Sequence, residues 1–187
     1  MKLVRHLTAM DEQLTIPPAW NYNPSSWPRR IPLIVLALIG FCIATYLAFY
    51  QMHIVSNAWD PFFGDGTKQI LTSKLSKKFP IPDALLGAFG YLLDLILGIS
   101  GRTDRWRSQP WIVLLLGVVV SLLALTGFLL ILAQFFFIHE FCTLCLASAI
   151  ISFIIAAFAG KEILASIRFV RKIKQQTGSF RKAIFQS

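Results

Sequence analysis

Charged side chains are scarce in this sequence. Among 187 residues there are 18 Lys and Arg and 9 Asp and Glu, while 56% are hydrophobic. The mean hydropathy is +0.64. So few charges cannot cover a water-exposed surface, which excludes an ordinary soluble globular protein and predicts a polytopic membrane protein. The length suits one compact bundle and excludes a second sizeable domain.

Cysteine is rare as well, with three in the chain. Cys142 and Cys145 form a Cys-x-x-Cys pair, and Cys42 lies midway through a hydrophobic run, where we expect a small buried apolar side chain. A zinc site commonly needs two such pairs, and His139 with Glu140 completes one poorly. The sequence therefore predicts no metal site.

Acidic residues are outnumbered, which gives a net charge of +9. The basic residues cluster at both termini and in one short loop. Membrane topology explains this clustering better than nucleic acid does. We expect a lipid bilayer as the partner of this chain and no nucleic acid.

Four hydrophobic runs are long enough, or nearly so, to cross a bilayer as helices, which needs about 20 residues. They are Ile31–Tyr50, Pro82–Ser100, Trp111–Phe137 and Phe141–Ala159. The second contains Asp83 at its start and Asp94 toward its far end, where we expect the carboxylate to reach the opposite interface. The sequence predicts an all-α integral membrane four-helix bundle.

Basic residues also predict the orientation. Fourteen of the 18 lie in the N-terminal arm, the loop before Trp111 and the tail, while Lys68, Lys74, Lys77 and Lys78 lie in the loop 51–81. The positive-inside rule makes the termini cytoplasmic and the loop external. The predicted divisions are a cytoplasmic arm (1–30), a membrane domain (31–160) and a basic cytoplasmic tail (161–187).

Three further expectations concern the polar segments. Apolar residues at helical spacing predict a short outer-face helix at 69–79, in the headgroup region. The tail predicts either a basic amphipathic helix on the inner leaflet or a plain stop-transfer anchor. The first 30 residues lack the apolar core of a cleaved signal peptide, which favours a bacterial cytoplasmic membrane.

The Cys142/Cys145 pair carries the chemistry that the sequence suggests. Residues three apart share a helix face, and a helix start favours the thiolate. At the oxidising outer face this predicts a reversible dithiol/disulfide couple. Cys142, nearer the surface, would exchange with a thiol protein, and Cys145 would meet an apolar electron acceptor. Packing of two small apolar side chains between helices is the alternative.

Two polar residues of the second run are further candidates. Asp83 either satisfies the N–H groups at the helix start or faces a pocket as a hydrogen-bonding group. Tyr91, two turns deeper on nearly the same face, either lines that pocket or fills it.

This pattern resembles the vitamin K epoxide reductase family of integral-membrane thiol oxidoreductases. The matching features are Ser73 in Thr-Ser-Lys, Gly87 with Tyr91, and Phe-Cys-Thr-Leu-Cys-Leu at the start of the last run. The resemblance covers residues 31 to 159. It implies a bundle that encloses a quinone, of the ubiquinone or menaquinone type, beside Cys142 and Cys145. Asp83, Tyr91 and Ser73 are the residues it suggests for quinone binding.

The chain departs from the family at one feature. The family passes electrons through a loop cysteine pair, and residues 51–81 contain no cysteine; Thr67 stands where one is expected. Either an outside thiol protein reaches Cys142 directly, or the relay activity is lost. We expect a bacterial-type thiol:quinone oxidoreductase with an extracytoplasmic thioredoxin-like partner. The alternative is a non-catalytic membrane module that binds a quinone, lipid or partner protein.

Overall fold

The computed structural model describes residues 16–18, 20–55, 60, 62, 82–138 and 141–177. These residues contain helices and no strand. The helices are α1 (Trp27–Gln51), α2 (Asp83–Ile99), the single turn α3 (Arg105–Ser108), α4 (Pro110–Ala133) and α5 (Thr143–Thr177). α4 continues directly into a π-helix, Gln134–Ile138.

The four long helices pack in a closed ring. α1 packs mainly on α2 and α4 mainly on α5, while contacts of α1 with α5 and of α2 with α4 complete the ring. Side chains such as Val113, Leu116 and Ile155 form the core, whereas Leu122 and Ile150 are more than half exposed. An apolar interior with an equally apolar outside is the arrangement of a bundle in lipid. The prediction of an all-helical membrane bundle is confirmed.

Three helices are long and apolar enough to cross a bilayer. They are Trp27–Gln51, Pro110–Phe136 and Thr143–Gln176. α2 has 17 residues, including Asp83 and Asp94, and lies in the same ring. The protein is an integral membrane protein; the count of four spans and the cytoplasmic placement of the termini stay predictions.

Two residues differ from the sequence expectation. Asp94 does not reach an interface: it is fully buried, and neither carboxyl oxygen has a hydrogen-bond partner among the described residues. Cys42 is exposed rather than buried, because it lies on the outward face of α1. Hydrophobicity alone does not distinguish a lipid-facing position from a core position. The exposure of Cys42 and of Asp94 could therefore not be predicted from the sequence. The predicted outer helix at 69–79 and its lysines lie outside the described residues.

α5 extends well beyond the predicted end of the last span at Ala159. Its 35 residues run to Thr177 without interruption, a length of about 52 Å against about 30 Å for the hydrocarbon core. The part beyond Ala159 buries Ala165, Ser166 and Val170. The tail is therefore helical to Thr177 and is continuous with the membrane helix.

A buried ion pair connects the helices at the end of the bundle where α3 lies, which we call the basic end. Arg105 has no exposed surface, and its Nε and Nη2 donate to Glu162 Oε1 and Oε2 at 2.6 and 2.8 Å. Its Nη1 donates to the carbonyl of Ser100 at 2.7 Å. Arg30 Nη2 donates to the same carbonyl at 2.6 Å, and Ser25 Oγ donates to Glu162 Oε1 at 2.5 Å. Side chains thereby satisfy the C-terminal carbonyls of α2 and connect them to α1 and α5.

Glu162→Gln tests the dependence of the bundle on this pair. The substitution keeps the size of the side chain but leaves the Arg105 guanidinium buried without its counter-charge. We expect a loss of about 3–5 kcal/mol in the free energy of unfolding, measured by equilibrium unfolding in mixed micelles. Asp104→Asn is the control, because its partner Arg102 is 84% exposed and 3.7 Å away. Because Arg102 extends into solvent, we expect that pair to contribute about 0–1 kcal/mol, so equal losses in the two variants would contradict the assignment.

Candidate functional site

Cys142 is the residue just before α5, and its sulfur caps that helix. Its Sγ accepts the backbone N–H of Cys145 at 3.1 Å, and its carbonyl accepts the N–H of Leu146 at 3.0 Å. The pair is in the dithiol form. An N–H donor at a helix N-terminus stabilises negative charge on the sulfur it contacts. The spacing predicted from the sequence therefore brings the two cysteines into direct contact.

Both cysteines are buried, and Cys142 more so than Cys145. Cys142 has no exposed surface and Cys145 is 8% exposed. Leu47 of α1 packs on both, and Tyr46 and Tyr50 pack around them. Cys142 is therefore the less exposed of the two sulfurs, while its assignment as the sulfur that exchanges with a thiol protein stays a prediction.

Asp60, from the loop after α1, is bound to the start of α5. Its Oδ2 accepts the backbone N–H of Thr143 at 3.0 Å, and its Oδ1 accepts the Thr143 hydroxyl. The same carboxylate accepts the N–H of Phe62 at 3.0 Å. A carboxylate here satisfies N–H groups that the helix leaves unpaired. Asp60 thus connects the loop after α1 to the start of α5 beside the cysteines, a role that was not predicted from the sequence.

Gln134 is a second residue that sequence reasoning missed. It is 1% exposed, at the junction of α4 and the π-helix. Its Oε1 accepts the backbone N–H of Cys142 at 3.2 Å. Its Nε2 has no acceptor among the described residues. The sequence contains one signal for Gln134, which is an amide inside a charge-free hydrophobic run. Polar groups at membrane depth are often functional, and π-helical turns are also frequent at functional sites.

A cavity lies beside Cys145, between all four long helices. Its volume is about 80 Å³. Its polar lining residues are Asp83, Tyr91, Thr126, Gln134, Cys145, Ser148 and Ser152, and the remainder of its wall is apolar. A cavity of about 150 Å³ accommodates benzene. The present cavity is smaller than that, so side chains or helices must move before a ring can enter it.

Asp83 lies at the start of α2 and also lines the cavity. Its Oδ1 accepts the N–H of Ala84 at 3.0 Å and a hydrogen from the Gln51 amide. Gln51 Oε1 accepts the same Ala84 N–H at 3.2 Å. The carboxylate therefore caps the start of α2, joins it to α1, and also lines the cavity.

Tyr91 lines the cavity with its ring, while its hydroxyl binds α5. The hydroxyl donates to the Ser148 carbonyl at 2.6 Å and lies 2.7 Å from Ser152 Oγ. The ring packs on Gly40 so closely that a Cβ there would lie 2.5 Å from a ring carbon. Tyr91 thereby links α1, α2 and α5 beside the cysteines. Ser73, His139 and Glu140 lie outside the described residues.

The comparison with protein families identifies the family of this chain. Residues 31–159 match the model of the vitamin K epoxide reductase family. The chain belongs to that family. Its members are membrane oxidoreductases that act on thiols and quinones. A comparison with curated proteins found no significant match.

The match covers the part of this vitamin K epoxide reductase family member that carries the cavity. It begins within α1 and ends within α5, so it includes Cys142, Cys145 and Gln134. The segment after Ala159, which contains Glu162, follows the matched range. No group of three or more His, Cys, Asp or Glu side chains that could hold a metal ion occurs in the described ranges.

Gly40→Ala tests the packing of Tyr91. The added methyl would overlap the ring, so we expect a loss of about 1–3 kcal/mol in stability, measured by unfolding in micelles. Gly160→Ala is the matched control, because a Cβ there meets nothing within 4 Å. Alanine favours a helix over glycine by about 1 kcal/mol, so the control variant should be unchanged or more stable. A destabilised control with an unaffected Gly40→Ala protein would contradict the packing argument.

Asp60→Ala tests whether this carboxylate keeps the cysteines covered. Loss of a helix cap costs about 0.5–2 kcal/mol, so we expect alkylation of Cys142 by a water-soluble maleimide to accelerate roughly two- to thirtyfold. The rate is measured by peptide mass spectrometry of the intact protein in lipid. Asp104→Ala, at the basic end, should leave the rate unchanged. An unaltered rate in Asp60→Ala would show that other contacts cover the cysteines.

Proposed function

We propose that this protein is a membrane-embedded thiol:quinone oxidoreductase whose redox couple is Cys142 and Cys145. One observation carries the proposal: the Cys145 thiol, the Gln134 amide and the Asp83 carboxylate line one cavity inside the membrane bundle. Family membership supports oxidoreductase chemistry with thiols and quinones.

The proposed cycle consists of two half-reactions at this pair of thiols. In the first half, the Cys142 and Cys145 thiols give two electrons and two protons to a quinone, which leaves as the quinol, and an S–S bond forms between the two sulfurs. In the second half, an extracytoplasmic thioredoxin-like dithiol attacks that disulfide. Exchange through a mixed disulfide restores both thiols and oxidises the partner.

Gln134 would position both reactants. Its Oε1 holds the backbone of Cys142, and its Nε2 is a buried donor in the wall of the same cavity. A quinone carbonyl presents the acceptor that this donor lacks. A hydrogen bond there would stabilise negative charge on the oxygen as electrons arrive. In this arrangement the Tyr91 ring and the Asp83 carboxylate form part of the quinone site, and the assignment of Ser73 to quinone binding stays a prediction from the family resemblance.

The thiol partner would react with the couple directly, because residues 51–81 contain no cysteine to relay electrons. Cys142 has no exposed surface, and Asp60 binds the residue that follows it. Direct exchange therefore requires the segment around Asp60 to move aside during turnover. With both termini cytoplasmic in a bacterial membrane, the couple would face the extracytoplasmic side. Both ubiquinone and menaquinone carry the required carbonyl.

The thiol state of Cys142 and Cys145 in native membranes tests this function. We expect a disulfide when quinone is present and two thiols after quinone depletion, measured by differential alkylation and mass spectrometry. Cys142→Ser and Cys145→Ser should each abolish quinone reduction. Two thiols that never change would overturn the proposal and favour a non-catalytic module that binds a quinone, lipid or partner protein.

Gln134→Leu and Tyr91→Phe separate substrate binding from packing. Loss of one hydrogen bond to the quinone should lower kcat/KM about two- to tenfold in Gln134→Leu, mainly through a higher KM. Tyr91→Phe removes a hydroxyl that already binds Ser148 and Ser152. It should lower the melting temperature while KM for the quinone stays within twofold of wild type. An unchanged KM in Gln134→Leu would exclude the proposed hydrogen bond.

A further inference from the structure

A second, larger cavity lies at the basic end, away from the cysteines. Its volume is about 600 Å³, within the range of small-ligand sites. The N-terminal segment, α3 and the extension of α5 form its walls. Its aromatic residues are Trp20, Trp106 and Phe169, and its cations are Arg107, Arg168 and Lys172. The rings of Trp106 and Phe169 meet edge to face with centroids 5.7 Å apart, which fixes one wall.

The described lining of this cavity is positively charged. Three cations line it, and no Asp or Glu does among the residues that the structure describes. The nearby carboxylate of Glu162 is turned to Arg105 through two hydrogen bonds and is buried. A ligand that is anionic at one point and apolar elsewhere would complement both the cations and the aromatic wall.

The position along α5 places the cavity at the depth of lipid headgroups. Arg168 lies 25 residues after Thr143, about 37 Å along the helix axis at 1.5 Å per residue. The hydrocarbon core is about 30 Å thick, and headgroups extend it to about 40–45 Å. If α5 begins at one edge of the core, Arg168 lies about 7 Å past the other edge. Tryptophan is enriched at this depth, which agrees with Trp20 and Trp106.

We propose that this cavity binds the headgroup and glycerol region of an anionic phospholipid of the surrounding leaflet. The phosphate lies among Arg107, Arg168 and Lys172, and the aromatic residues contact the apolar part of the lipid. Basic pockets at the cytoplasmic ends of membrane helices bind anionic headgroups in this way. The C-terminal segment of the chain complements the charge less well, because residues 178–187 add two further cations and no acid. The proposal does not depend on the redox function.

Lipid-dependent melting of the full-length protein tests the site. In neutral detergent, short-chain phosphatidylglycerol should raise the melting temperature saturably, while phosphatidylcholine with the same chains should not. Arg168→Gln should weaken the binding and raise the half-saturating concentration of phosphatidylglycerol about fivefold, because one cation near an anionic lipid contributes about 1 kcal/mol. Arg171→Gln is the matched control, because it removes an exposed arginine of the same helix that does not line the cavity.

Each outcome decides the proposal. Both arginine variants should melt like wild type without lipid, since both side chains are exposed. Equal responses to the two lipids, or equal weakening in Arg168→Gln and Arg171→Gln, would overturn the site and leave only general attraction to charge. If inorganic phosphate produced the same rise in melting temperature, the lipid would be excluded as the ligand and the cavity would be assigned to a free anion.

Discussion

The bidentate ion pair between Arg105 and Glu162 is the contact on which the basic end of the bundle depends. Arg105 lies in the turn that connects α2 to α4, and Glu162 lies on α5, so one pair joins three parts of the ring. In lipid, neither a charge nor a terminal carbonyl can turn to water, so each must find its partner within the protein. Arg105 meets both needs, because the same guanidinium neutralises Glu162 and donates a hydrogen bond to the Ser100 carbonyl at the end of α2.

The opposite end of the bundle follows the same rule with weaker bonds, and there the chemistry is proposed. Asp60 and Cys142 together satisfy N–H groups at the start of α5, and Gln134 satisfies the N–H of Cys142. A sulfur that serves as a helix cap must give up that contact or keep it as a thiolate when it reacts. The hydrogen bonds that the Asp60 carboxylate accepts are easier to break than the buried ion pair between Arg105 and Glu162. The structure is thus held firmly at one end and can open at the other.

The two cavities lie at these two ends of the bundle. The small cavity beside Cys145 is enclosed by all four long helices, and its polar groups converge on a volume of about 80 Å³. The larger cavity at the basic end is formed by the N-terminal segment, α3 and the extension of α5, and has cations in its wall. An uncharged ring would enter the first only after side chains or helices move, whereas the second has room for the headgroup region of the proposed anionic lipid at the edge of the bundle. A lipid bound at the second would fix the N-terminal segment against α5 without blocking the first.

The sequence by itself determined the all-helical membrane class, the approximate position of every long helix, and the pairing of Cys142 with Cys145. Each of these depends on local composition or on a spacing of three residues along one helix. Only the tertiary structure decided that Cys142 is the more buried sulfur, that Cys42 and Asp94 exchange their expected exposures, and that Gln134 and Asp60 contact the start of α5. Those facts depend on which face of a helix meets its neighbour. In a uniformly apolar helix such as α4, the sequence carries little signal for that choice, because lipid and core favour the same side chains.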